Sequence, residues 1–446
     1  MSSTQENNMS HFEIIKPTDF IKYNNDNDVV KIHNITDANK KQKYTHIRYK
    51  KENLEKSNEP GAYYMEFKSV IMNKNNHVVS YAIPRSIEYD LFNQENNVQD
   101  CIIEEFVEGT MITLFYDETC DELFVPQLSE IISEKQDENM GWNISTRGSI
   151  GAKNSFYKSN DVVSTKSFSQ LFIDCAKETN LELSKLDKKY CYNFVIKHIE
   201  NRVVNSIKKN RLYLISVYKI ENENNIAKIE KVNEPLTLFP SFQNTTICTP
   251  TIFEHDDIFD WDDMTKRLTF DNSPVNVFNY NLQTQSILMG YVIKNIKTGK
   301  HTKIRNPVYF YMRELRGNQP KLEHHYLSLR KDKHIQEFLH VFPEYQETFN
   351  MFYKKITQFT NELNQNYIEL NITKKRVFND VDYELRNHVN AIHYKYRKEL
   401  RDKGLTIQKD DVVQYVNNLH PSKLMFALNF KRRKINIEEK EKECEI

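Results

Sequence analysis

The spacing of apolar residues changes once along the chain, near residue 326, and this change constrains the fold more than any other feature. Before it, short runs rich in β-branched and aromatic residues predict strands, for example at 78–83, 111–116, 211–220 and 290–294. After it, apolar residues recur every three or four positions, which predicts helices. The sequence therefore predicts an α+β protein with antiparallel sheets and some helices, followed by an all-helical C-terminal domain.

Composition suggests four segments. Residues 1–60 are polar and rich in Asn and Lys, and we expect a partly ordered N-terminal extension. Residues 61–325 form the strand-rich domain, and residues 326–430 form the helical domain, in which Gly404 is expected to end a helix. Residues 431–446 are a charged tail. With 446 residues, the chain is long enough for two or three domains.

Charge and cysteine content exclude several classes of protein. The chain has 62 Lys plus Arg and 62 Asp plus Glu, so it is neither histone-like nor polyanionic, although local basic stripes remain possible. Its six cysteines form no CxxC pair, which argues against zinc ribbons and thioredoxin-type sites and favours free thiols in a reducing compartment. No apolar run is long enough to span a bilayer, so we expect a cytoplasmic protein without membrane contact.

Other local signals do not identify a site. The acidic run 254–263 could hold a divalent cation, but its spacing fits no ligand template, and a solvated loop is favoured. Two histidine pairs, 324/325 and 388/393, lack the i, i+4 spacing of a helical metal site. The sequence has no GxSxG, no Walker loop and no GxGxxG, so no metal or catalytic triad is predicted.

Four segments of the strand-rich region combine a strand with a polar or glycine interruption. They are 105–112 (EFVEGTMI), 142–150 (WNISTRGSI), 193–203 (NFVIKHIENRV), and 289–293 (MGYVI) followed by 303–305 (KIR). Eight residues within them are candidates for binding a nucleotide or its phosphates: Glu108, Gly109, Thr110, Arg147, Gly148, Arg202, Lys303 and Arg305. Glycine allows close backbone approach to a ligand, and arginine can clamp a phosphate with two hydrogen bonds. Lys303 and Arg305 alternate along a strand and therefore share a face.

In order and content, these segments resemble the single-strand RNA ligase family of T-even phages and related reading frames of large DNA viruses. This family belongs to the covalent nucleotidyltransferase superfamily, and the match covers residues 62–320. Segments 145–150, 194–204, 289–293 and 303–305 resemble motifs Ia, III, IV and V. The resemblance implies an ATP-grasp-like RNA ligase domain, RNA or nucleotide ends as partners, and ATP with Mg²⁺ as cofactors if the protein is active. Apart from the resemblance, the helical C-terminal domain is a candidate surface for protein partners. For a viral protein, the compartment would be the host cytoplasm.

Three departures from the family pattern concern the chemistry. The lysine that attacks ATP in motif I is replaced by Phe106, which has no nucleophilic atom. The acidic positions of motifs III and IV are Val195 and Met289, neither of which can hold a metal. Lys68 and Lys74 lie upstream in other segments, and neither precedes an acidic-Gly-Thr triplet, so no substitute nucleophile is evident.

Three hypotheses follow. The first is an RNA-ligase-like protein that binds nucleotide or RNA ends, with weak or lost adenylylation, that is, a possible pseudoenzyme with no catalytic residue assigned. The second is an active ATP-dependent RNA ligase whose nucleophile lies elsewhere. The third is a viral structural or assembly protein that reuses the fold, with Phe106, Val195 and Met289 filling the former pocket.

Overall fold

A computed structural model gives the fold of the chain. It describes residues 11–15, 30–36, 41–50, 66–120, 123–133, 139–155, 166–223, 226–232, 240–254, 260–270, 274–319 and 321–435. The chain divides into two compact units. The first is built from residues 1–156, 164–275 and 282–311, and the second from 157–163, 276–281 and 312–446. The longest continuous part of the second unit is residues 312–446.

Three antiparallel sheets form the first unit. Their strands are β1 (His11–Ile15), β2 (Val30–Thr36), β3 (Gln42–Tyr49), β4 (Val70–Asn73), β5 (Val78–Tyr81), β6 (Cys101–Glu105), β7 (Thr110–Tyr116), β8 (Trp142–Ser145), β9 (Tyr190–Lys197), β10 (Arg211–Glu223), β11 (Ile226–Lys231), β12 (Ile252–Phe253), β13 (Gly290–Asn295) and β14 (His301–Arg305). The order is β1-β11-β10-β9-β7-β8 in sheet A, β2-β3-β4-β5 in sheet B and β12-β6-β13-β14 in sheet C.

Ten α-helices are present in the described part of the chain. They are α1 (Tyr89–Glu95), α2 (Phe168–Glu178), α3 (Trp261–Leu268), α4 (Pro307–Arg316), α5 (Leu322–Asp332), α6 (Ile335–Val341), α7 (Gln346–Tyr367), α8 (Tyr383–Lys395), α9 (Lys409–Asn418) and α10 (Pro421–Leu428). The predicted α+β class with a helical C-terminal region is confirmed. None of the described helices combines the length and the apolar character that crossing a bilayer requires.

Sheet C has one apolar face and one polar face, because side chains alternate along each strand. Cys101, Ile103 and Ile293 point to the apolar face and pack with Phe92 of α1 and Met264 of α3. The opposite face carries the residues between them in β6 and β13, together with their register partners in β14. This polar face contains Lys294, His301 and Lys303 of the candidate site.

Three described segments among the first sixty residues are strands of the sheets. They form β1, which joins sheet A, and β2 and β3, which join sheet B. Buried Tyr44 and Ile47 of β3 pack with Val70 of β4. The polar composition of this segment obscured the few apolar residues that fix the strands, because a strand needs only every second side chain to be buried.

Other sequence predictions have definite outcomes. Predicted helix 165–177 corresponds to α2, whereas predicted helix 180–187 contains only a short 3-10 turn at Leu183–Lys185. Gly404 has a left-handed backbone (φ 68°) and ends a helical turn, as predicted. In the acidic run, residues 255–259 lie outside the described residues, and Asp260 caps α3 through the N–H of Asp263. Residues 436–446 of the predicted tail also lie outside the described residues.

Candidate functional site: a basic cluster beside the 106–109 turn

The turn between β6 and β7 is fixed by the buried carboxylate of Glu108. This carboxylate accepts hydrogen bonds from the backbone N–H groups of Val204 (2.7 Å) and Asn205 (3.0 Å) and from the side-chain amide of Asn205. It therefore joins the turn to the loop that follows β9. Because charge-assisted bonds of this kind are strong, Glu108 acts here as a structural anchor.

Gly109 and Thr110 complete the same junction. Gly109 has a φ of +144°, and a Cβ at this position would collide with the carbonyl oxygen of Ile196 in β9. The side-chain amide of Asn201 donates to the hydroxyl of Thr110 at 2.9 Å. In the same loop, Nε of Arg202 donates to the carbonyl oxygen of Val204 at 2.8 Å. The predicted residues Glu108, Gly109, Thr110 and Arg202 thus lie together.

Phe106 stands next to Lys303, one of the predicted phosphate ligands. The Nζ atom of Lys303 lies 4.6 Å from the centroid of the Phe106 ring. This is a cation–π contact, which holds an ammonium group without neutralising it. Arg305 is exposed, and its guanidinium carbon lies 5.5 Å from the centroid of the Phe310 ring.

The polar face of sheet C continues from Lys303 to His301 and Lys294. Strand register places Lys294 of β13 opposite His301 of β14, and Lys303 is the next residue of β14 on that face. Lys294 forms an ion pair with Glu104, and both side chains are only 12% exposed. His301 is buried.

Several lysines act on His301. Burial is the main reason that the pKa of His301 lies well below its usual range, and the charges of Lys303, Lys294, Lys68 and Lys231 lower it further. The imidazole is therefore neutral near pH 7. The charges of four lysines thus act on this one buried ring: two from sheet C, one just before β4 and one at the end of β11.

Lys68 and Lys231 are held in an environment that disfavours their charge. Burial lowers the pKa of Lys68 to about 8, and the charge of Arg147 contributes. Burial likewise lowers the pKa of Lys231 to about 8, with Lys294 lowering it further and Glu104 opposing the shift. Desolvation and like charges both penalise an ammonium group, so these two lysines lose their protons more readily than ordinary lysines.

Arg147 links this group to a second guanidinium. Its guanidinium carbon lies 4.5 Å from the centroid of the Tyr49 ring, and its Nη2 donates to the Tyr49 carbonyl oxygen at 3.3 Å. Arg48 approaches the carbonyl oxygen of Gly148, with its Nη1 at 3.5 Å. Burial and the charge of Arg147 lower the pKa of Arg48. The predicted pair Arg147 and Gly148 therefore lies beside Arg48.

We call these residues the basic cluster: Arg48, Lys68, Arg147, Lys231, Lys294 and Lys303, arranged around His301. Within the described part of the chain, three buried nitrogens of the cluster have no hydrogen-bond partner: Nε of Arg48, Nε of Arg147 and Nε2 of His301. Buried polar groups are almost always paired, because an unpaired one costs about 1–3 kcal/mol. Like-charged groups with unpaired nitrogens at one place are typical of a site that binds an anion.

The described residues do not fit a metal held by the protein. Met289 and Val195, at the positions where the resembling family has acidic residues, are both buried and apolar. Val195 packs with Val107 and Tyr213. In the described ranges, no group of three or more His, Cys, Asp or Glu side chains could hold a metal ion.

Four members of the cluster, and the histidine at its centre, were missed by the sequence analysis. Lys294 and His301 share the alternation that placed Lys303 on one face, so their positions could have been inferred from the hairpin. Arg48, Lys68 and Lys231 come from distant segments, and their approach depends on how sheets A, B and C are arranged. No local pattern carries that information.

Comparisons with known proteins give limited similarity. No family model matches the chain, and no curated protein matches it. Among solved structures, the chain is similar to one described as an archaeal ATP-dependent RNA ligase, with 10% sequence identity and a TM-score of 0.36. The match covers 90% of this chain and 92% of that one.

Proposed function

We propose that this protein binds a nucleotide or the 5′-phosphorylated end of an RNA at the basic cluster. The observation that carries the proposal is the basic cluster itself: six half-buried cationic side chains grouped around buried His301, with three buried nitrogens that have no hydrogen-bond partner among the described residues. Phosphate oxygens supply both the negative charge and the hydrogen-bond acceptors that such a site lacks. The class we infer is an RNA-ligase-like nucleotidyltransferase of the phage and large-virus type that its motifs resemble.

Phe106 excludes nucleophilic attack on ATP at the motif I position. A phenyl ring cannot attack the α-phosphate of ATP, so no adenylylation occurs at the motif I position. The protein would therefore hold its ligand without transferring a nucleotidyl group to this residue. Any Mg²⁺ would arrive bound to the phosphates of the ligand, as is common for this ion, and not through a cage of protein carboxylates.

The structural or assembly role is the second candidate, favoured by one observation. Val195 and Met289 are buried, so two of the three replaced positions are occupied by packed apolar side chains. Phe106 is only half-buried and lies under the ammonium group of Lys303. The packing around Phe106 therefore differs from that of a fully filled pocket. A binding measurement distinguishes the ligand-binding role from the structural role.

The test is fluorescence anisotropy with three probes: a fluorescent ATP analogue and the same short RNA with either a 5′-phosphate or a 5′-hydroxyl. We expect saturable binding of ATP and tighter binding of the phosphorylated RNA than of its hydroxyl form. Binding should weaken as salt is raised, because phosphate contacts depend on counterion release. Absence of binding by ATP and by both RNAs would contradict the proposal and support the structural role.

A further inference from the structure

We propose that His198 is a pH switch for the loop 198–205. The neutral imidazole holds this loop in place, and protonation opens the loop and releases the 108–110 turn that the loop anchors. The inference goes beyond the proposed function, because it concerns the control of the turn and not the ligand. Its test therefore needs no ligand.

The site of His198 fits only the neutral form of the ring. His198 follows β9 directly and is 1% exposed. Its Nδ1 accepts a hydrogen bond from the backbone N–H of Glu200 at 3.1 Å, so Nδ1 carries a lone pair and the proton of the ring is on Nε2. A protonated imidazole has an N–H on both nitrogens. Protonation would therefore replace this bond by two donors that face each other.

The second ring nitrogen does not compensate for this loss. Nε2 of His198 lies 3.4 Å from Oδ2 of Asp174 in α2, and it has no hydrogen-bond partner among the described residues. The carboxylate of Asp174 is already engaged by Lys166, whose Nζ donates to the same Oδ2 at 2.9 Å. Nζ of Lys166 also lies 2.7 Å from Oε1 of Glu200. A charged His198 would thus share both carboxylates with a cation that is already present.

Burial and the surrounding charges agree with this geometry. The ionisable groups of the elements beside His198 are Lys166, Asp174, Cys175, Glu178, Glu200 and Arg211. Burial is the main reason that the pKa of His198 is lowered; the charges of Glu200 and Asp174 oppose the shift, and that of Lys166 adds to it. The imidazole is therefore neutral near pH 7 while the loop is closed.

The loop that His198 begins is the one that anchors the turn. The carbonyl oxygen of His198 accepts from the N–H of Asn201 at 2.8 Å, which closes a tight turn at the start of the loop. The side chain of Asn201 then holds Thr110, and the N–H groups of residues 204 and 205 hold the carboxylate of Glu108. If the segment 198–201 opens, these bonds to the 108–110 turn are lost together.

The direction of the pH effect follows from proton linkage. In the open loop the ring is in water and has the ordinary histidine pKa of 6.5, whereas in the closed loop its pKa is lower. Below about pH 6.5 the open form binds more protons than the closed form, so acid favours opening. A single titrating group of this kind raises the open population by up to about tenfold between pH 7.5 and pH 5.5.

The experiment is amide hydrogen exchange of the full chain at pH 7.5 and pH 5.5, read by mass spectrometry of peptides. Exchange is expressed relative to the denatured chain at the same pH, which removes the pH dependence of the chemical rate. We expect the protection of peptides covering 198–205 and 106–112 to fall by up to about tenfold at pH 5.5. In His198→Asn the side-chain oxygen can still accept from the N–H two residues ahead but cannot titrate, so protection should not change.

The control is His77→Asn, because His77 is half-buried between β4 and β5, outside the loop. This variant should keep the pH dependence of the unmodified protein. Constant or greater protection at pH 5.5 in the unmodified protein, or an equal loss in His198→Asn, would overturn the proposal. Should His198→Asn fail to fold, the unmodified protein still decides the point, because an equal loss of protection in all peptides of the first unit would overturn it as well.

Discussion

Glu108 illustrates how one buried carboxylate can hold a turn. Its oxygens accept bonds from two backbone N–H groups and a side-chain amide of the 204–205 segment. In Glu108→Gln, one carboxylate oxygen becomes an NH₂ group that faces donors, so the turn loses its charge-assisted bonds. We expect the free energy of unfolding to fall by about 1–3 kcal/mol in a urea titration.

The matched control for this prediction is Glu118→Gln, because Glu118 is exposed. Its free energy of unfolding should change by less than about 0.5 kcal/mol. If Glu108→Gln were as stable as the unmodified protein, the structural role of this carboxylate would be wrong.

Gly109 and Gly148 form a second matched pair. In Gly109→Ala, the added Cβ would collide with the Ile196 carbonyl oxygen at a backbone φ that disfavours side chains. We expect a loss of roughly 2–4 kcal/mol in the free energy of unfolding. In Gly148→Ala, the added Cβ would meet only Nη1 of Arg48, at 3.4 Å, so little change is expected. Equal stability of the two variants would contradict this geometry.

At the residue scale, the structure gives the predicted positions partners that the sequence did not indicate. The triplet 108–110 was singled out because glycine permits close approach, and a close approach is present, although to β9 and not to a ligand. The partner of Glu108 lies 96 residues further along the chain. Residue types and local spacing cannot reveal a contact at that separation.

At the scale of elements, Lys68, which lies just before β4, and Lys231, which ends β11, give the stability a specific pH dependence. The pKa values of Lys68 and Lys231 are lowered to about 8 in the folded protein, against 10.5 for an ordinary lysine. Between these values the unfolded chain binds more protons than the folded one, so these groups make the protein more stable as pH rises from about 8 to about 10.5.

The measurement is the free energy of unfolding at several pH values for the unmodified protein and for Lys68→Met/Lys231→Met. Buried thiols with raised pKa values, such as those of Cys101, Cys175 and Cys191, act in the opposite sense at high pH, but both proteins contain them. The difference between the two proteins should therefore favour the unmodified one progressively from about pH 8. A difference that does not vary with pH would contradict the lowered pKa values.

Strands with dense β-branched and aromatic residues were predictable, whereas the N-terminal strands were not. β7 and β10 match runs that the sequence marks clearly, because each strand contains consecutive buried β-branched, aromatic or leucine residues. In β2, buried and exposed positions mix, and the segment has a polar composition. Its place at the edge of sheet B comes from pairing with β3, which is a tertiary contact.

At the scale of the whole molecule, the two compact units should respond differently to ligand. The basic cluster lies entirely within the first unit. A ligand that binds only the folded state stabilises it by about 2.7 kcal/mol at a hundred times its Kd. Scanning calorimetry should therefore show ATP raising the Tm of one transition, which belongs to the first unit, and leaving the transition of the helical unit unchanged. Equal shifts of both would contradict this assignment.

The helical unit was the more predictable half of the molecule. The residues that recur at helical spacing, such as Phe349, Ile356 and Leu363, are buried on one face of α7, and Leu385 and Val389 on one face of α8. Helices are determined by neighbours three and four positions apart, and these are visible in the sequence. The basic cluster depends instead on segments from all three sheets, so it required the fold.

The central claim is that the basic cluster binds phosphate, and one comparison tests it most directly. ATP affinity is measured for the unmodified protein, for Lys303→Ala and for the control Lys300→Ala. Lys300 lies three residues before Lys303, is exposed, and forms an ion pair with Glu95. We expect saturable ATP binding by the unmodified protein. The ATP affinity should fall at least about tenfold in Lys303→Ala, because a charge-assisted contact contributes about 1.5–3 kcal/mol. It should be unchanged in Lys300→Ala. No binding, or equal loss in both variants, would contradict this claim.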